Sequence, residues 1–186
     1  MKKVVFAAVM AVAAAASADM KFGVVDMMVL IKNHPNYDSN KELLTSTDKD
    51  YKKKLEGIKS EGEALQEEGK KLAEQVRSPI LAVKAKADME KQLMDIQQKL
   101  MGIEQRYRSE ALRCRQDLQD LEGRLLKTTT DDIRKRIAKF AEDKGYDFVF
   151  DKTATPFAKA DYDVTDEMLT AMNVDPKTAK GRDEGK

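Results

Sequence analysis

Tryptophan is absent from this chain of 186 residues, cysteine and histidine occur once each, proline four times, and aromatic residues make up only 6%. A single Cys excludes an intramolecular disulfide framework, and one Cys with one His cannot supply the ligand sets of a structural zinc site. The chain has no G-x-x-x-x-G-K-[ST] loop, no H-E-x-x-H run and no G-x-S-x-G elbow. Nothing therefore supports nucleotide, zinc-protease or serine-hydrolase chemistry, and the sequence reads as a non-enzyme with no catalytic residues, no metal and no cofactor. The sole histidine, His34, sits in the turn-rich run Asn33-His34-Pro35-Asn36, where a structural role is expected. Apolar bulk is also scarce: the chain is 36% charged and its mean hydropathy is −0.60. A large compact core is excluded, and long exposed helices fit better.

What is present begins with a leader. Lys2-Lys3 precedes the apolar run Val4 to Ala16 and the small-residue site Ala16-Ser17-Ala18. This pattern predicts a secretory signal peptide over residues 1–18, cleaved after Ala18. No later run reaches the length of a membrane-spanning helix, so no stable membrane insertion is expected. Without Lys2 and Lys3 the chain carries 32 basic against 33 acidic residues, near −1. A nucleic-acid partner has no electrostatic support from that balance.

The middle of the chain is written in heptads. Leu44, Tyr51, Ile58, Leu65 and Leu72 recur every seven residues, with Leu55 and Val76 on a companion row that also holds Gly62 and Gly69. Each glycine lowers helix stability by about 1 kcal/mol relative to Ala, which predicts a locally soft first helix. Ser78-Pro79 interrupts the pattern, because Pro suits a helix start and not its interior, and places the hairpin tip there. Beyond it run Leu93, Leu100, Tyr107, Cys114 and Leu121, with Ile96 and Ile103 interleaved before the phase shifts to Ala111, Leu118 and Leu125. Cys114 thus falls on the apolar seam and reads as a small hydrophobe. The second helix is expected to reach Glu142, past a break near Thr128 to Thr130.

Strand-like segments stand at both ends. Met20 to Met27 and Tyr146 to Phe150 are rich in β-branched and aromatic residues, and Gly145 provides a helix stop before the second. Short strands so far apart must share one sheet to be stable. The expected class is α+β: a long antiparallel helical hairpin, residues 41–116 with its tip near 78–79, projecting from a small β-rich body of residues 19–40 and 117–174. Pro156 to Ala160 is expected as a further strand, Thr165 as the cap of a helix over Asp166 to Met172, and residues 175–186 as a disordered tail.

KFGVVDM at residues 21–27, with His34-Pro35 and the heptads that follow, resembles the start of Skp/OmpH proteins. IAKFAEDKGYDFVFDK at 137–152 and DYDVTDEML at 161–169 resemble that family's return to its body and its closing helix. The resemblance implies a homotrimer, which makes the β-rich body a trimerisation body, with helical arms around a cavity, holding unfolded outer-membrane proteins in the periplasm without nucleotide. Family members are often strongly basic, whereas residues 41–116 here carry 17 basic and 14 acidic side chains.

A second row of period seven, Ile80, Ala87, Met94 and Met101, runs beside the seam, with Leu81 and Val83 near the tip. Two helices cannot bury both rows. Ile80, Leu81, Val83, Met94 and Met101 are therefore the candidate client-binding residues, Met being adaptable to many sequences. Phe22, Val24, Val25, Phe148, Val149 and Phe150 are the candidate trimer-forming residues, since strands this short make too small a core in one subunit. The competing expectation is a structural coiled-coil envelope protein without chaperone activity.

Overall fold

The computed structural model describes residues 20–80 and 82–182. Residues 1–19, with the expected leader and its cleavage site, Leu81 and residues 183–186 lie outside the described residues. In it the two strand-like ends do meet. β1 (Phe22–Val25) and β2 (Phe148–Asp151) pair in parallel, Phe22 opposite Phe148 and Val25 opposite Asp151. Between them come α1 (Met27–Lys32), α2 (Tyr37–Val76) and α3 (Val83–Lys144). Two short 3-10 turns and α4 (Thr165–Ala171) follow β2. The chain divides into two compact units, one of residues up to His34 and from Thr130 onward, the other Pro35–Thr129. The division is wider than the expected arm of 41–116, because the apolar and polar contacts between α2 and α3 persist down to Asn40 and Thr129, whose side chains meet at 3.3 Å.

The first unit owns a core drawn from distant sequence. Val25, Val29, Leu30, Ile133, Phe140, Val164, Met168, Leu169 and Met172 are buried together. Leu30, Ile133 and Leu169 are fully enclosed, each contributing about 1.5–3 kcal/mol by leaving water. One run of polar contacts ties its elements. The Asp26 carboxylate accepts from Val29 N at 3.1 Å and caps α1, while Asp26 N donates to Thr165 Oγ1 at 2.9 Å. Asp163 Oδ1 accepts from Thr165 N and Oγ1 at 3.0 and 2.5 Å, and Lys152 Nζ donates to its other oxygen at 3.0 Å. Burial works against the charged Asp163 carboxylate, but the Thr165 and Lys152 hydrogen bonds outweigh it and hold its pKa below the ordinary value. α3 stops where Gly145 takes φ +68° and Tyr146 N reaches back to Ala141 O at 2.9 Å, the closure that a left-handed Gly permits.

Several local expectations are corrected here. Pro156 to Ala160 forms no strand; the third sheet contact is a single bridge from Val24 to Asp163. Thr165 does not cap α4, because its hydroxyl is engaged with Asp163 and Asp26 and no side-chain cap bond is made. α3 passes through Thr128 to Thr130 unbroken, since no Gly or Pro interrupts it and Thr129 is a buried seam position, 5% exposed. Pro79 lies in the connecting turn and not in the first turn of α3, which begins at Val83. Residues 175–182, expected to be disordered, are held to the first unit. Lys180 and Asn33 exchange hydrogen bonds at 3.0 Å in both directions, Ala179 packs on the core, and Arg182 pairs with Asp166. His34, in the turn between α1 and α2, has the structural role expected of it. It is 8% exposed, with Nε2 3.0 Å from Asp132 Oδ2. The Arg136 guanidinium, then His34, hold the Asp132 carboxyl below its usual range.

In the second unit α2 and α3 form a hairpin. Contacts step backward along α3 as they step forward along α2: Lys54 meets Glu110 at 2.5 Å, Arg106 meets Glu61, and Gly62 and Gly69 lie against Ile103 and Ile96. The heptad residues form the seam, but only Ile58, Ile96 and Cys114 among its apolar members fall below a tenth exposed. Gly62 and Gly69 are places of close approach and not merely soft points, since a Cβ on either would stand 3.3 Å from an Ile methyl. Gly57 and Gly123 meet nothing within 4 Å. Gly57→Ala and Gly123→Ala should each stabilise the chain by about 1 kcal/mol, while Gly62→Ala and Gly69→Ala gain less because Ile103 and Ile96 must shift. Urea midpoints decide this, and equal gains at all four sites would contradict the packing described.

Candidate functional site

The chemistry of the second unit is set by a displacement of one residue. Leu93, Ile96, Leu100 and Ile103 lie on the seam side of α3, with Ile96 only 6% exposed. Met94 and Met101 each follow a seam leucine, about 100° further round the helix. They are 69% and 64% exposed. A hairpin of two helices has no third element with which to cover them.

Of the other candidate residues, Ile80 stands in the connecting turn and Val83 at the start of α3, both almost wholly exposed. Leu81 lies outside the described residues. The described side chains are spread along the hairpin. Val83 and Met94 are separated by about 16 Å of helix and Met94 and Met101 by about 10 Å, at 1.5 Å rise per residue. They form a string of separate apolar contacts, which suits a long flexible ligand better than a small molecule.

A feature missed from sequence lies beside them. A shallow groove of about 560 Å³ opens over Gly62 and Gln66 of α2 and Leu100, Ile103 and Tyr107 of α3, rimmed by Lys59, Glu63 and Glu104. It exists because Gly62 has no side chain opposite Ile103. The signal was in plain view as a glycine at a heptad position, where a leucine would have closed the gap. Around it the surface is a lattice of opposite charges, such as Lys59 with Glu63 and Arg113 with Asp117. The hydrogen bond from Lys54 keeps the Glu110 carboxyl below its ordinary value. Exposed pairs of this kind contribute little to stability.

In the first unit the six candidate trimer residues divide by strand alternation. Val25 is buried in the unit's own core and Val149 packs against it, while Val24, also buried, lies on the same face as Phe22 and opposite Phe150. Phe22, Phe148 and Phe150 turn outward, between 39% and 49% exposed. Their rings stack with centroids 5.7 to 6.5 Å apart. A core thus exists within one copy, contrary to the expectation that the strands alone leave it insufficient. The outward apolar patch is a Phe ladder on a sheet of only two strands. Among the described residues no group of His, Cys, Asp and Glu is arranged to hold a metal ion, and no helix is long and apolar enough to cross a membrane.

The sequence model of the family described as outer membrane protein (OmpH-like) matches residues 21–172, which takes in both strands, both long helices and α4. No curated protein matches the chain.

The two rows of α3 should separate on substitution. Leu93→Gln with Leu100→Gln places amides in the seam and should lower stability by about 2 kcal/mol or more per site. Met94→Gln with Met101→Gln should stay within about 0.5 kcal/mol per site. Helicity by circular dichroism and urea midpoints measure both, and equal losses would make the Met row structural.

Proposed function

The chain belongs to the OmpH-like outer membrane protein family, and on that premise we propose that it is an ATP-independent holdase of the periplasm that binds unfolded outer-membrane proteins and prevents their aggregation. The observation that carries this reading is the exposure of Met94 and Met101 on a helix whose seam is already formed. An apolar side chain held in water gains free energy whenever it meets another apolar surface, and Met fits many shapes because its side chain is unbranched and flexible. A row of such contacts, each weak, suits capture of a chain that presents scattered apolar residues. No step requires nucleotide, and the absence of a phosphate loop from the sequence accords with that.

In this reading the hairpin is an antiparallel arm, and three copies associate through their bodies. Phe22, Phe148 and Phe150 are the contact surface. Three stacked rings in water, on a two-stranded sheet with open edges, form the kind of patch that a second copy covers. Val25 and Val149 hold the strands to the core from the opposite face, and Val24 is buried on the Phe face. The leader is removed after Ala18 on export. Ile80 and Val83 provide further client contacts, with Leu81 between them in sequence.

The test is light scattering of an unfolded outer-membrane protein diluted from urea. An equimolar trimer of the mature chain should suppress the rise without added nucleotide. Scattering unchanged by the protein, while its own assembly persists, would favour a purely structural coiled coil.

A further inference from the structure

From Met94 to Leu126 one line of α3 is free of charge. Its apolar members are Met94, Met101, Leu112 and Leu126, and its amides are Gln98, Gln105, Gln116 and Gln119; Ser109 and Gly123 complete it. Successive members are three or four residues apart and average close to 3.6, so the line runs straight along the helix for about 48 Å. All ten positions are exposed, with Leu112 at 57% and Leu126 at 52%. Charge returns immediately on both flanks, at Arg108 and Arg115 on one side and Arg113 and Asp120 on the other. In a chain that is 36% charged, a line of ten exposed uncharged positions, with Arg108 at its edge between Gln105 and Leu112 and paired to Glu104, is a distinct chemical surface.

The chemistry of that line selects among occupants. A helix from a second copy would need an apolar knob every three or four residues. Here the apolar members stand 7, 11 and then 14 residues apart. Packing a helix over the gaps would bury glutamine amides against a backbone whose own hydrogen bonds are already made, leaving them unpaired. An extended polypeptide differs in the relevant respect. Its backbone N–H and C=O groups are free, and a Gln side chain offers both donors and an acceptor to meet them. Its apolar side chains are also intermittent. About fourteen residues of extended chain span the line at 3.4 Å each. A charged side chain brought onto it would lose water and find no counter-ion.

We propose that this neutral line of α3 is a docking track for extended, uncharged polypeptide, binding through Gln amides and isolated Met and Leu contacts and therefore insensitive to salt. This rests on the chaperone reading above and adds to it the surface used and the class of segment preferred.

The test uses the full mature protein and a fluorescein-labelled, uncharged peptide of about fourteen residues, alternating Val or Tyr with Ser or Gln. A second peptide carries Lys and Glu at the polar positions. Binding is followed by anisotropy at about 0.05 M and about 0.5 M salt, where screening differs several-fold. One variant combines Gln98→Glu, Gln105→Glu and Gln116→Glu; another places Lys at the same three positions. Gln, Glu and Lys have similar helix propensities, so the helix survives both. Circular dichroism confirms it. The control combines Ser46→Glu, Ser60→Glu and Gln75→Glu on exposed positions of α2.

Both track variants should weaken the neutral peptide roughly tenfold, as introduced charges lose hydration without a partner. The control should stay within about twofold, and wild-type affinity should be the same at both salt concentrations and higher for the neutral peptide. If both variants bind as wild type does, the track is wrong while the chaperone reading stands. Glu and Lys variants that change affinity in opposite directions would show charge steering and overturn the proposal. Wild-type protein that binds neither peptide at any salt would overturn the chaperone reading along with it.

Discussion

Two helices wound on each other can bury one stripe of each, and the rest of both circumferences belongs to water. Most of the behaviour of residues 35–129 follows from that constraint. The heptad leucines and isoleucines take the seam, yet only Ile58, Ile96 and Cys114 among its apolar residues are well buried. A seam this thin limits how much stability the hairpin gains from packing, and Gly62 and Gly69 thin it further while letting Ile103 and Ile96 approach the backbone. Whatever apolar side chains the sequence adds beyond the stripe must stay outside. Met94 and Met101 are the consequence, and the proposed capture surface is made from what the seam cannot accommodate.

The first unit answers a different constraint. Its strands are four residues long, too short to hold one another without burial on a face. Enclosure comes from α1, the last turns of α3 and α4, whose side chains converge on Leu30, Ile133 and Leu169. The Asp26, Thr165 and Asp163 contacts then fix how the strand ends meet α1 and α4. Alternation along the strands sends Val25 and Val149 inward and Phe22, Phe148 and Phe150 outward, with Val24 on the Phe face, so the same short segments that complete a private core also expose an aromatic ladder. Folding of one copy uses one face of this small sheet, and the association proposed above would use the other.

Periodic features were legible in the sequence because period is a local property. The rows from Leu44 to Leu72 and from Leu93 to Leu121 predicted two long helices, Gly145 their end, and FGVV and FVF the paired strands. The features that escaped depend on partners far along the chain. His34 was readable as a structural turn residue but its anchor was not, because Asp132 is 98 positions away. The tail looked disordered because its composition is polar, whereas Lys180 is held by Asn33 at a separation of 147. Thr165 had the character of a cap, but Asp26 and Asp163 claim its hydroxyl. At Thr128 to Thr130, propensity suggested a break that a buried Thr129 removes. Of the candidate site, the Met row was readable as a second period of seven; the groove at Gly62 and the neutral line were not, because each is defined by what is missing from a position.

The central claim is that seam and capture surface are separate faces of one helix. It is tested most directly by photo-crosslinking, with a photoreactive side chain placed at Met101 or at the exposed Lys70 of α2 and an unfolded outer-membrane protein added before illumination. Abundant client adducts from position 101 and few from position 70 are the result this account predicts. Equal adduct yields from the two positions, or none from 101 while aggregation is still suppressed, would contradict it.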